Sequence, residues 1–172
     1  QRMKTERQSW PHSLENGERP PPFLPAHGEN ELLKAMLNPL KVLTSGVERL
    51  GDVPFFAGGK WRFVERVAWW DAYNDRIPVV FGHYWRRPFV PDPSTTTAEE
   101  AGLFGDTAPF AWHGQQRNAF CIDYSVGARW SARKNGHPVH AHYKLAALRW
   151  PERTLVFDDG SVAQTTAFQS CP

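Results

Sequence analysis

The chain has 172 residues, 41% of them hydrophobic, and a formal net charge of +2. That is the length of one domain, or a large part of one, with enough apolar side chains for a real core. The near-neutral balance argues against a nucleic-acid footprint or a polybasic membrane patch, and no apolar run approaches the roughly 20 residues that span a bilayer.

There is no signal-peptide core near the start. The two cysteines, Cys121 and Cys171, read as a buried thiol and a tail thiol in a reducing compartment rather than as a disulfide. Together these features predict a cytoplasmic protein. A chain beginning at Gln1 reads as a fragment, a processed form or a trimmed one.

Residues 1–29 are polar and broken by Pro11, the Pro20-Pro21-Pro22 run and Pro25, so an extended or mobile segment is expected. From Asn30, a candidate N-cap, Leu32, Leu33, Met36 and Leu37 form a helical apolar face that Pro39 should end or kink. Residues 40–59 look loop-like, with Gly46, Gly51, Pro54 and Gly58-Gly59. Residues 61–73 read as a strand or hairpin arm running into a short helix. Trp69-Trp70 there is either core packing or an aromatic wall beside a cleft.

The apolar run from Ile77 to Phe81 predicts a buried strand ending abruptly at Gly82-His83. Residues 89–118 form a long irregular insertion, with a short capped helix expected from Ser94-Thr95-Thr96-Thr97 to about Leu103. The remainder reads as β: residues 119–126, 143–150 and 154–157, the last two joined through Pro151-Glu152-Arg153 as a hairpin. Residues 161–172 read as a tail.

Three constellations can carry chemistry. The first is His83 with Tyr84, Arg86 and Arg87. An imidazole at a strand's carboxyl end can ligate Mn, Fe or Zn, and a neighbouring arginine can hold an anion bidentately. The second is His137, His140 and His142, either a single-metal site or a surface loop. In an extended segment His140 and His142 would share a face. The third is Asp123, an acid within an apolar strand, read as a partnered carboxylate near a site or as a cap on the following turn. There is no P-loop, Gly-x-Ser-x-Gly elbow, CxxC pair or dinucleotide fingerprint.

Taken in order, Gly82-His83-Tyr84-Trp85, residues 120–127 (Phe-Cys-Ile-Asp-Tyr-Ser-Val-Gly) and residues 145–152 (Leu-Ala-Ala-Leu-Arg-Trp-Pro-Glu) resemble the C-terminal half of calcineurin-like metallophosphoesterases. The nearest branch is that of bacterial serine/threonine phosphatases and symmetrical diadenosine tetraphosphatases. Residues 65–70 also fit the region before the Gly-His strand, and the resemblance runs from about Leu32 to Gly160.

It implies the C-terminal part of an α/β sandwich, a mixed sheet with a C-terminal hairpin, over residues 30–160. It also implies two-metal hydrolysis of a phosphomonoester, phosphoprotein or dinucleoside polyphosphate. The cofactors implied are two divalent ions (Mn, Fe or Zn, with Mn favoured). His83 matches a metal-ligand position. Tyr84, Arg86 and Arg87 are candidate substrate contacts by proximity.

The family's Gly-Asp-x-His, Gly-Asp-x-x-Asp-Arg-Gly and Gly-Asn-His-Glu motifs are missing. Gly51-Asp52 is followed by Val-Pro, Gly105-Asp106 by Thr-Ala, and residues 28–31 read Gly-Glu-Asn-Glu. A lone His83 cannot hold two metals, so the chain is expected to be inactive alone. Its partners would be a phosphorylated substrate and either the missing N-terminal half or a second copy. The rival expectation is a non-catalytic interaction domain that keeps the fold.

Overall fold

A computed structural model of the chain describes residues 1–89, 102–104 and 107–169. The chain is α/β and divides into two compact units, Gln1–Ala68 and Trp69–Pro172.

The first unit holds helices α1 (Arg2–Ser9), α2 (Pro25–Met36) and α3 (Pro39–Ser45) and strands β1 (Glu48–Ala57) and β2 (Lys60–Arg66). Its first 29 residues are thus not simply extended. Helix α2 starts five residues before the expected cap at Asn30. Pro25 suits the first turn, where its missing N–H is no loss. The exposed donors of that turn are taken by α1, whose Glu6 carboxylate accepts from Ala26 N at 2.6 Å and His27 N at 3.0 Å. Such a cap, supplied from 20 residues away, leaves no local signature.

Pro39 does interrupt the helix and opens α3, capped by the Asn38 carboxamide oxygen. Residues expected as a loop form β1, antiparallel to β2. An irregularity between Leu50 and Phe55 absorbs Gly51 and Pro54. Gly58 and Gly59, at φ 61° and 78°, make the two-residue turn. Helix α2 packs so closely on this hairpin that a Cβ on Gly28 would sit 3.1 Å from Leu50 and 3.2 Å from Phe63.

In the second unit, a 3-10 turn at Trp69–Ala72 precedes β3 (Val79–Phe81), as expected. Strand β3 pairs in parallel with β4 (Ala119–Cys121). Next come helix α4 (Gly127–Lys134) and the antiparallel strands β5 (Ala146–Arg149), β6 (Thr154–Phe157) and β7 (Val162–Gln164), with β6 central. The β5–β6 hairpin is the expected one. The sheet content differs: among the described residues the strands form three small sheets rather than one mixed sheet. Residues 162–164 are a paired strand rather than tail. The helix expected from Ser94 falls mostly outside the described residues, as does Cys171. Gly102–Phe104 form a 3-10 turn.

The core gathers Trp112, Phe120, Tyr124, Leu155 and Phe157. Beside it, Trp70 is 1% exposed and stacks between Phe81, at 5.0 Å and 21°, and Phe104, at 4.7 Å and 6°. Trp70 is therefore core. Gly114 turns tightly beneath it at φ 83°.

Candidate functional site

The carboxyl ends of the parallel strands β3 and β4 lie side by side, where open α/β sheets place their sites. Gly82-His83 follows β3, and Asp123 follows β4 by two residues. The Asp123 carboxylate joins the two ends. One oxygen accepts from His83 N at 2.9 Å, and the other from Ser125 N at 2.9 Å. Both donating residues have left-handed backbones, at φ 70° and 64°. These conformations are unfavourable for non-glycine residues, and the charged cap offsets part of that cost. Asp123 is thus a cap on the turn that follows it, one of the two readings made of it, and its other oxygen holds the Gly-His turn.

After Gly82 the chain alternates. His83 and Trp85 are exposed, whereas Tyr84 and Arg86 are buried. The Tyr84 ring lies edge-on to Trp70 at 5.0 Å and Phe81 at 5.6 Å. Arg86 is 1% exposed. It donates to the carbonyls of Ala108 at 2.5 Å, Ala111 at 2.8 Å and Cys121 at 3.4 Å. Its guanidinium lies over the Phe120 and Phe104 rings. Tyr84 and Arg86, expected as substrate contacts, are therefore interior groups. An arginine whose donors serve backbone carbonyls cannot also clamp phosphate bidentately. Burial lowers the Arg86 pKa, against smaller opposing effects from Tyr124 and Cys121. No carboxylate pairs with it among the described residues.

Beside this turn opens a cleft of about 830 Å³. Its lining includes Trp85, Arg87 and Phe89 from one segment and His140, His142 and Tyr143 from another. Ser125 and Ser131 supply hydroxyls, and Arg86 contributes to the lining. The His140 and His142 rings stack at 4.9 Å and 16°, across a turn at Ala141–His142 rather than along the expected extended segment. Phe89 meets His142 edge-on at 5.1 Å, and Arg87 lies 5.9 Å from the Phe89 ring centre. Burial, then His140 and Arg87, lower the His142 pKa.

His137 is exposed and is not part of this lining. Among the described residues no group of three or more His, Cys, Asp or Glu side chains is placed to hold a metal. The three-histidine metal site is therefore not assembled. Comparison with family models, with curated proteins and with solved structures finds no match for this chain.

Residue reasoning passed over His113, which is 6% exposed. Its Nε2 accepts from Cys121 N at 3.2 Å, and its ring stacks with Phe120 at 5°. Burial and the nearby Arg86 charge lower its pKa to about 3, so the ring is neutral. Cys121 is 0% exposed, and burial pushes its thiol up to about 12. Both are structural groups. The cleft's helix, α4, was also missed. It buries no residue, and its Trp130 is 65% exposed, so no apolar stripe marks it. The available signals were Arg133 and Lys134 in its last turn and Gly136 just beyond.

Proposed function

We propose that this chain is the C-terminal portion of a calcineurin-like, metal-dependent phosphoester hydrolase and is inactive on its own. The observation that carries this reading is His83. It stands exposed at the carboxyl end of β3, with its backbone held by Asp123. In the family it resembles, an imidazole in the corresponding Gly-His turn ligates a metal.

The residues described here do not fit a complete two-metal centre, since one imidazole is not a metal cage. The remaining ligands belong to a segment or partner beyond this set, and no hydrolytic step is assigned to this chain. None of the described helices is long and apolar enough to cross a bilayer.

A second reading is a non-catalytic interaction domain, favoured by exposed apolar side chains. Leu37, Leu40 and Leu43 are 75%, 71% and 84% exposed in the first unit.

The test is Mn²⁺ titration of the full chain, followed by paramagnetic broadening of histidine ring signals, with phenyl phosphate hydrolysis assayed in parallel. Broadening centred on His83 and lost in His83→Ala, with no turnover, supports the hydrolase portion. Broadening absent from His83 sinks that reading and leaves the interaction domain.

A further inference from the structure

We propose that the cleft between the 85–89 segment and the 140–143 loop is a binding site for a phosphate-type oxyanion carried on a small apolar or aromatic body. The proposal goes beyond the hydrolase reading and does not depend on His83 or on any metal.

Charge is the first argument. Among the described residues, the cleft lining contains Arg86, Arg87, His140 and His142 and no aspartate or glutamate. Two of these groups, Arg86 and Arg87, are cationic guanidiniums.

Arg86 is the second. It is 1% exposed, its Nε is buried with no hydrogen-bond partner, and no carboxylate pairs with it among the described residues. A buried cation without a counter-ion is costly. An anion in the cleft would supply that counter-charge across a poorly screened distance, without displacing the arginine's bonds to the Ala108 and Ala111 carbonyls.

The third is the placement of donors and apolar surface. Arg87, which is less buried than Arg86, and the stacked His140 and His142 rings line the same cleft. The ring N–H groups of the two imidazoles, 4.9 Å apart, and the Arg87 guanidinium are donors that one oxyanion in the cleft can use. The hydroxyls of Ser131 and Tyr143 can complete an oxyanion's hydrogen bonds. Trp85, 69% exposed, and Phe89 offer a surface for the group that carries the phosphate. The volume of about 830 Å³ lies within the usual range of small-molecule sites.

The experiment is calorimetric titration of the full chain in EDTA with inorganic phosphate and, separately, phenyl phosphate. Both should bind, and Arg87→Gln and the double change His140→Ala with His142→Ala should each weaken binding by about tenfold or more. Tighter binding of phenyl phosphate identifies a phosphoester as the occupant. Equal binding identifies free phosphate.

The unaltered chain offers a check that needs no variant: phosphate should shift the ring proton signals of His140 and His142. No binding of either ligand, or unmoved signals together with unaltered binding in Arg87→Gln, overturns the proposal. Because EDTA removes metals, failure here leaves the His83 reading standing, and failure of that reading leaves the cleft standing.

Discussion

Asp123 and His83 are 40 residues apart in the chain, and the carboxylate of one holds the backbone N–H of the other at 2.9 Å. The same carboxylate holds Ser125 N. A single side chain therefore fixes the turns that follow both parallel strands. Asp123→Ala is expected to lower stability by about 1–3 kcal/mol. Asp123→Asn, which keeps one acceptor oxygen, should fall in between. Urea denaturation of the three chains checks this, and an Asp123→Ala chain as stable as the original would show that the bridge contributes nothing.

Arg86 satisfies the carbonyls of Ala108 and Ala111 from within the core. Arg86→Met keeps the packing volume and removes the charge. Losing the charge relieves its desolvation, but the orphaned carbonyls cost more, so a net loss of roughly 2 kcal/mol is expected. The thermal midpoint should fall accordingly. A midpoint that rises would mean that the buried charge is retained at the expense of stability, which only a ligand-binding role would explain.

His113 sets an acid limit on the fold. Its folded pKa, about 3, lies below the ordinary 6.5. As pH falls through 6.5 the unfolded chain takes up a proton that the folded chain refuses. The stability tied to this group is therefore complete above pH 6.5 and erodes as pH falls toward 3. Urea midpoints at pH 8, 6, 5 and 4 should decline progressively. In His113→Phe the decline should be shallower, starting from a value about 1 kcal/mol lower because Cys121 N loses its acceptor. Equal slopes in both proteins would remove His113 from the account.

Gly114 sits at φ 83°, and a Cβ there would lie 2.8 Å from the Trp70 carbonyl oxygen. Gly114→Ala combines a left-handed backbone with a backbone clash, and a loss of roughly 2 kcal/mol or more is expected. Unfolding by denaturant, monitored by tryptophan fluorescence, measures it.

Cys121 is fully buried, with its thiol pushed up to about 12. In a Cys171→Ser background it should resist Ellman's reagent at pH 8 until denaturant is added. Rapid labelling of the native chain would contradict the burial.

What the sequence disclosed, it disclosed through local contrast. The Gly82-His83 break, the turn entering β3 and the β5–β6 hairpin were readable because apolar runs end there in residues with distinct backbone preferences. Strand β1 was hidden by Gly51 and Pro54, which a strand tolerates only at an irregularity. The Gly58-Gly59 pair that closes its hairpin was visible all along. The start of α2 was hidden because its cap, Glu6, comes from another helix. The cleft was half-legible: Arg87, His140 and His142 stood out as residue types. That two segments some 50 positions apart would face each other, and that Arg86 and Tyr84 would turn inward, depends on tertiary packing that no local pattern encodes.

Arg129 of α4 donates to the Tyr143 carbonyl and pairs with Asp158, whose Oδ1 also accepts from Leu145 N at 3.2 Å. That clasp cinches the segment from α4 to β5 into a closed ring with His140 and His142 on its rim. Part of the entropy of ordering the backbone of this loop is therefore lost once, when the chain folds. A cleft made this way should capture its ligand in one rapid step, with no slow isomerisation following the encounter.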